Sequence, residues 1–205
     1  MKLRHVCVIM TLVGTLVGFP AVPSLAEKPG QTFQSPLKNF TVPVPKLGSG
    51  LSRTVVRKKN SKDEGTVSFI GDTGTVLRID YTRLPPGTPA LTGEEQQAGL
   101  ERWLKGLVES NANSVIVVRK PYVLDDIPML LAVVSFPGGS PAIGGAKGKH
   151  LDSTRGLLLF VRGGFLYVLF DDLVDVARRE SPGVEELTKR AERSVPEFYR
   201  SITFK

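Results

Sequence analysis

The sequence predicts an α+β protein in which a mostly antiparallel β-sheet packs with two main α-helices. Residues 157–170 are almost entirely apolar on both sides of Gly163 and Gly164, which is typical of a β-hairpin because both glycines can adopt a positive φ. Apolar and polar residues alternate in 75–83, as they do in a strand with one buried face. Two further segments have apolar residues every three or four positions, which indicates helices buried on one side.

The hairpin at residues 157–170 is the predicted centre of the sheet. Neither of its arms alternates apolar with polar residues, so both faces of each strand must be covered by other parts of the protein. Residues 114–120 and 127–136 are also largely apolar, and we expect them to be central strands. Residues 137–155 then predict a glycine-rich loop that leads into the hairpin.

Four strand segments are predicted in the first half of the chain. Residues 40–45, Phe-Thr-Val-Pro-Val-Pro, predict an edge strand because proline cannot donate a hydrogen bond to a neighbouring strand. Residues 53–59 predict a short basic strand at an edge. Residues 66–70 and 75–83 predict a second hairpin, across Asp72-Thr73-Gly74.

The first predicted helix begins at a capping box, in which Thr92 and Glu95 satisfy each other's free backbone amides. It is expected to end near Asn111–Asn113. Its apolar stripe consists of Leu100, Trp103, Leu104, Leu107 and Val108.

The C-terminal part of the chain predicts helices and a last strand. Asp171 and Asp172 are expected to cap a short helix over 173–180, and Ser181-Pro182 to begin the second main helix. Another capping box at Ser194–Glu197 predicts a kink or a new short helix. Residues 201–204 predict the final strand, and the inward stripe of the helix is Val184, Leu187, Ala191 and Val195.

The first 26 residues predict a secretory signal peptide. A short basic start is followed by the uncharged residues 6–26, which end in small residues before Glu27. The alternative is a retained membrane anchor formed by the same uncharged run. Pro20 and Pro23 favour cleavage because they would break a membrane-spanning helix. The sequence therefore predicts an exported protein, periplasmic or extracellular, with at most peripheral membrane contact.

The remainder predicts a flexible lead-in at residues 27–38 and a single domain at 39–205. Without residues 1–26, which contain two basic residues and no acidic ones, the net charge of +7 falls to +5. Cys7 is the only cysteine, so the exported chain would have neither a disulfide nor thiol chemistry. One histidine, His150, would remain, which argues against histidine-based metal clusters and hydrolases.

The element order resembles the PsbP-like fold, which extrinsic photosystem proteins, a Ran-binding nuclear import factor and exported bacterial proteins share. The similarity extends over residues 38–205 and lies in Phe40–Pro45, in Gly164–Val168 after a glycine turn, and in the last helix running into Phe198–Phe204. Relatives often have a Gly-Gly pair where this chain has Asp125-Asp126. The resemblance implies a non-catalytic module that binds a partner and requires no cofactor.

Two basic segments are candidate binding sites. The loop at 138–150 carries Lys147, Lys149 and His150, which could contact an anion or a protein partner. The loop does not fit a phosphate-binding Walker motif, because His150 follows Gly148-Lys149 and a strand rather than a helix comes next.

The second basic segment contains Arg57, Lys58 and Lys59. It could meet an anionic component of the cell envelope, but lysines that protect a solvated edge strand are the ordinary explanation. Nucleic acid is not the expected partner, because aromatic residues are not interleaved with the basic ones and the predicted compartment is extracytoplasmic. The expected partner is a protein or an anionic envelope component.

Two chemical alternatives are weaker. Asp72-Thr73-Gly74-Thr75 matches the loop of aspartic proteases, so a homodimer could pair two Asp72 carboxylates as a hydrolase, although the same string is common in hairpin turns. Asp171, Asp172 and Asp175 could hold a cation, but helix capping explains the first two and no EF-hand spacing is present. We therefore predict neither a metal nor a catalytic residue for the leading, non-enzymatic interpretation.

Overall fold

A computed structural model of the chain describes residues 30–47, 55–71, 75–87, 93–111, 113–140, 151–173 and 182–205, without the side chains of 55–59, 138–140 and 151. The elements of the described residues, in chain order, are β1 (Thr32–Gln34), β2 (Phe40–Pro43), β3 (Val55–Asn60), β4 (Glu64–Ile70), β5 (Val76–Arg83), α1 (Gly93–Glu109), β6 (Val115–Leu124), β7 (Ile127–Ser140), β8 (Leu151–Arg162), β9 (Phe165–Asp172), α2 (Val184–Ser201) and β10 (Thr203–Phe204).

The strands form two antiparallel sheets. The larger has seven strands in the order β3-β4-β5-β9-β8-β7-β6, and the smaller has three in the order β1-β2-β10. Helix α1 packs on one face of the large sheet through Leu100 and Leu104, while α2 and the small sheet pack on the other face. The predicted α+β fold with a mostly antiparallel sheet and two main helices is therefore confirmed.

The β8–β9 hairpin occupies the middle of the large sheet, as predicted. Gly163 and Gly164 have φ angles of 57° and 75°, which two residues of a type I′ turn require. Strand β8 pairs with β7 and strand β9 with β5, so both arms have neighbours on each side. Leu157 and Leu159 face α1, whereas Leu158 and Phe160 face α2, which explains why the arm has no polar alternation.

Strand positions differ from the predictions at two places. Strand β6, predicted to be central, is the last strand of the large sheet, and its Val115 and Val123 side chains are 57% and 66% exposed. Strand β2, predicted to be an edge, is the middle strand of the small sheet. It tolerates proline because Pro43 is its last residue, where the ladder ends.

The small sheet also contains a strand that was not predicted. Residues Thr32–Gln34 pair with β2, although they lie within the segment predicted to be a flexible lead-in. Phe33 is buried and packs against Phe40 and Phe69 with ring centroids 6.3 and 6.1 Å apart. A single aromatic residue anchors this three-residue strand, which is too short for a periodic pattern in the sequence.

Helix α2 is continuous from Val184 to Ser201, so the predicted kink or new helix at Ser194 is wrong. Pro196 lies inside the helix, where it removes one backbone hydrogen bond. Buried residues on both sides of it, Val195 and Phe198, hold the two halves against the sheet. Among the described residues, neither helix combines the length and the apolar character needed to cross a membrane.

The turn between β6 and β7 explains how the chain departs from the PsbP-like pattern. Asp125 and Asp126 have φ angles of 51° and 58°, so both adopt the left-handed conformation that a Gly-Gly pair would adopt at lower cost. Aspartate tolerates this conformation better than most residues with a Cβ atom. The turn is therefore preserved without glycine.

Gly65 provides a first test of the fold, because Tyr81 pairs with it across β4 and β5 and the phenol lies over its backbone. A Cβ atom at position 65 would lie 2.2 Å from the Tyr81 hydroxyl and 2.3 Å from Cζ. Tyr81 is 2% exposed and packed against Phe40, so the ring cannot move away freely. We expect Gly65→Ala to lower the free energy of unfolding by about 1–3 kcal/mol, measured by urea unfolding.

Gly106→Ala is the matched control, because no atom lies within 4 Å of the Cβ position at this helical glycine. It should leave stability unchanged or raise it by up to about 1 kcal/mol through helix propensity. Equal effects of the two substitutions would show that Tyr81 does not lie over Gly65.

Candidate functional site

The predicted site residues lie mostly outside the described part of the chain. Asp72 and the loop residues Lys147, Lys149 and His150 fall in segments that are not described. Strand β3 contains Arg57, Lys58 and Lys59, but only its backbone is described. The structure does locate the strands that flank each segment. Those strands show which parts of the fold each candidate adjoins.

The two basic segments are not adjacent in the large sheet. Strand β3 is an edge strand, as predicted, and β8 is four strands away from it. At about 4.8 Å between neighbouring strands, this corresponds to roughly 19 Å. The strand that follows the loop lysines and the strand that contains Arg57–Lys59 therefore lie in different parts of the sheet.

Strands β7 and β8 extend beyond their neighbours and form a two-stranded ribbon at one end of the large sheet. We call residues 136–140 with 151–153 the β7–β8 ribbon. Strand β6 begins opposite Ser135 and β9 ends opposite Arg155, so neither reaches the ribbon. Residues 137–155, predicted to be a loop, are thus partly strand, and the segment left to connect β7 and β8 is 141–150.

An ion pair fixes the base of the β7–β8 ribbon. Arg155 Nε donates to Asp172 Oδ1 at 2.8 Å, and the two side chains are only 13% and 5% exposed. The Arg155 guanidinium carbon lies 5.4 Å from the centroid of the Phe136 ring, the first residue of the ribbon. Asp172 Oδ2 also accepts a hydrogen bond from the Val76 amide at 3.2 Å. This pair therefore connects β5, β8 and β9 to the ribbon.

Asp171 and Asp172 were predicted to cap a helix over 173–180, of which only Leu173 is described, so that helix stays a prediction. Both are strand residues at the end of β9, where Asp171 pairs with Gly156 and Asp172 with Arg155. Their side chains point to opposite faces of the sheet, with Asp171 toward α2. Burial raises the pKa of Asp172, and the Arg155 charge opposes that rise.

Asp171 lies in a pocket between the end of β9 and the first half of α2. The pocket has a volume of about 510 Å³. Asp171 is 8% exposed, and burial raises its pKa from 3.8 to about 6. The nearby Ser194 hydroxyl opposes the rise, whereas the Asp172 and Glu197 charges add to it. Its lining residues are Asp171, Asp172, Leu173, Glu186, Lys189, Arg190, Arg193 and Ser194.

The pKa of Asp171 predicts how stability depends on pH. The carboxyl of Asp171 has a pKa of about 6 in the folded state and 3.8 in the unfolded state. Protonation of this carboxyl therefore stabilises the folded state, fully below about pH 3.8, and the stabilisation is lost as the pH rises through 6. The difference corresponds to about 3 kcal/mol. Asp171→Asn has no carboxyl to ionise at this position, so it should not lose this stability. Between pH 4 and pH 7, its free energy of unfolding should rise by up to about 3 kcal/mol relative to that of the natural chain.

Urea unfolding of both proteins at intervals of one pH unit measures this difference. Glu94→Gln is the control, because Glu94 is an exposed carboxylate in the first turn of α1 and does not contribute to the pKa of Asp171. If the free energies of unfolding of Asp171→Asn and the natural chain changed with pH in the same way, the raised pKa of Asp171 would be contradicted.

The structure brings together three arginines that the sequence did not single out and a serine to which it gave another role. Arg155, Arg190 and Arg193 belong to no recognisable motif, and Ser194 was predicted to be a helix cap. The pairing of Arg155 with Asp172 follows from hairpin register, because both residues lie the same distance from the turn at Gly163 and Gly164. Counting outward from the turn would have identified the pair.

Within the described ranges, no three histidine, cysteine, aspartate or glutamate side chains converge as metal ligands would. Asp175, the third residue of the predicted cation alternative, lies outside them. The groups that do converge are ion-paired or lie in an open pocket.

Comparison with known proteins finds similarity in structure rather than in sequence. No protein-family model matches the chain, and no curated protein is detectably similar to it. The solution structure of the cyanobacterial PsbP (CyanoP) from Synechocystis sp. PCC 6803 matches with a TM-score of 0.50 and 9% identity, covering 92% of this chain and 99% of that one. The Ran-binding protein Mog1p of Saccharomyces cerevisiae matches with a TM-score of 0.43 and 11% identity, covering 87% and 96%.

The match to the cyanobacterial protein extends over nearly the whole of both chains. It agrees with the resemblance drawn from the opening strand, the glycine turn and the last helix. At this low sequence identity the match establishes the fold, and function must be argued from the site. The chain therefore has a PsbP-like fold.

Proposed function

We propose that this protein is an exported, non-catalytic module that binds a protein partner through the end of the sheet from which the β7–β8 ribbon projects. One observation carries the proposal. Two strands extend past the sheet, and the buried Arg155–Asp172 pair fixes their base. A loop presented on a rigid support is a common arrangement for binding.

The chemistry near the ribbon supports an acidic partner surface. The connecting segment contains Lys147, Lys149 and His150 and no acidic residue. Positive charges in this segment would favour encounter with an anionic surface and make binding sensitive to salt. The Arg57–Lys59 segment on edge strand β3 is a second, separate surface for an anionic envelope component. Export is supported by residues 1–26, which lie outside the described chain.

The test compares two triple variants of the full chain produced in its own host. One is Lys147→Gln/Lys149→Gln/His150→Gln, and the other is Arg57→Gln/Lys58→Gln/Lys59→Gln. Binding to the envelope fraction is measured at several salt concentrations. We expect the loop variant to bind about tenfold more weakly and to lose most of the salt dependence.

Three outcomes would contradict the proposal. Unchanged binding of the loop variant would exclude the ribbon end, and a loss confined to the β3 variant would assign binding to the other surface. Binding to protein-free vesicles rich in anionic lipid, at the same strength as to the envelope fraction, would show that the target is lipid.

The hydrolase alternative receives no support from an assembled site. The hydrogen bond from the Gly71 amide to the Thr75 carbonyl, at 2.9 Å, joins the two ends of the segment that contains Asp72, as in a hairpin turn. Asp72 itself lies outside the described residues, so the dimeric protease stays a prediction. Peptide cleavage at acid pH that disappears in Asp72→Asn would establish it.

A further inference from the structure

Six charged residues line the pocket between α2 and the end of β9, and four of them are paired with neighbours of opposite charge. Arg190 Nη2 lies 2.6 Å from Glu186 Oε1, and Lys189 Nζ lies 2.7 Å from Glu185 Oε1. Asp172 is paired with Arg155 on the other face of the sheet. Arg190 additionally donates to the Leu173 carbonyl at 3.0 Å.

Two of the charges, one acidic and one basic, have no ion-pair partner in the part of the chain that the structure describes. They are Asp171, which is buried in the pocket, and Arg193, which is exposed on α2. Both side chains line the same pocket. The pocket therefore presents an unpaired acid in its interior and an unpaired base on the helix side.

The surroundings of Asp171 offer its carboxylate no charged partner among the described residues. Its neighbours across the sheet are Leu77 and Gly156, neither of which carries a charge or a side-chain donor. The Ser194 hydroxyl lies near enough to influence Asp171, yet its buried oxygen makes no well-formed hydrogen bond in the described structure. A buried carboxylate in such surroundings is costly unless it meets a cation or a proton.

The unpaired charges identify the class of ligand. A simple cation would neutralise Asp171 but would be repelled by Arg193. A simple anion would neutralise Arg193 but would be repelled by Asp171. A molecule with both charges satisfies each of them. Ammonium groups donate up to three hydrogen bonds, which suits a carboxylate with a hydroxyl beside it, and a guanidinium binds a carboxylate in a two-point manner.

We propose that this pocket binds a small zwitterion of the amino-acid class, with its ammonium group on Asp171 and Ser194 and its carboxylate on Arg193. The site uses no residue of the 141–150 segment, so it is independent of the partner-binding function proposed above.

Three probes of equal chain length test the charge requirement on the full chain. They are 6-aminohexanoate, hexylammonium and hexanoate, which differ only in which charged ends they carry. Binding is measured by calorimetry at pH 7.5 and by the ¹³C chemical shift of the Asp171 carboxyl carbon. We expect the zwitterion to bind at least tenfold more tightly than either singly charged probe and to shift the Asp171 signal. Glycine, β-alanine and 4-aminobutanoate then determine the preferred spacing between the two charges.

Variants locate the site. Asp171→Asn and Arg193→Gln should each weaken binding of the best zwitterion at least tenfold, whereas Arg200→Gln, an exposed arginine of the same helix, should leave it unchanged. Asp171→Asn removes a buried charge and should remain folded, so loss of binding is not a folding defect. The proposal is overturned if no zwitterion binds more tightly than the singly charged probes, or if Asp171→Asn binds as well as the natural chain.

Discussion

Replacing Phe160 by alanine is expected to lower the free energy of unfolding by about 3–5 kcal/mol. Phe160 is completely buried, and its ring stacks on Tyr167 with centroids 5.2 Å apart. The rings of Tyr199 and Phe204 pack edge-on against the Phe160 ring, with centroids 5.2 and 5.5 Å from its own. The substitution would therefore leave a cavity where β8, β9, α2 and β10 converge. Urea unfolding at pH 7 measures the loss.

Val123→Ala serves as the control for this prediction. Val123 is 66% exposed on edge strand β6, so its truncation should change stability by no more than about 0.5 kcal/mol. A similar loss for both variants, or a loss of less than about 1 kcal/mol for Phe160→Ala, would contradict the position of the aromatic cluster at the junction of the two sheets.

Removal of Arg155 is the second change with a large expected effect. In Arg155→Met the Asp172 carboxylate, which is 5% exposed, keeps only the Val76 amide among the partners described above. An unpaired buried charge is strongly destabilising, so we expect a loss of about 3–5 kcal/mol at neutral pH. Loss of the guanidinium also raises the pKa of Asp172 further, because that charge opposes the effect of burial.

The sign of the pH dependence follows from that rise. A carboxyl with a raised pKa in the folded state stabilises the protein when protonated, so Arg155→Met should recover stability as the pH falls toward 4. The double variant Arg155→Met/Asp172→Asn should be more stable than Arg155→Met alone, because no buried charge remains. A double variant that is less stable than the single one would contradict the cost that we assign to the unpaired Asp172 charge.

The central hairpin could be predicted because its glycine turn and its apolar arms indicate the same structure. The alternation of Leu77, Ile79 and Tyr81 correctly predicted a strand with a buried face, since all three residues pack in the core on the α2 side of the sheet. Strand β6 was misplaced because its apolar residues resemble those of a buried strand. Position in a sheet depends on the order of strand pairing, which a single strand sequence does not encode.

The candidate site was harder to predict than the fold. Asp171 and Asp172 were predicted to be helix caps, because acidic residues after an apolar run are typical of the start of a helix. Their actual environment depends on residues far along the chain, Arg155 on β8 and Ser194 on α2. Such contacts follow from strand register and helix packing together, so local patterns could not reveal the pocket.

Photo-crosslinking from defined positions tests most directly whether the ribbon end is the binding surface. A benzoyl-phenylalanine residue would replace exposed Pro137 on the β7–β8 ribbon in one variant and Val123, near the opposite end of the sheet, in another. Both full-length variants are irradiated in the native host, and the adducts are identified by mass. We predict a discrete protein adduct from position 137 that disappears when Lys147 and Lys149 are changed to glutamine. The same adduct from position 123, or none from position 137, would contradict the account.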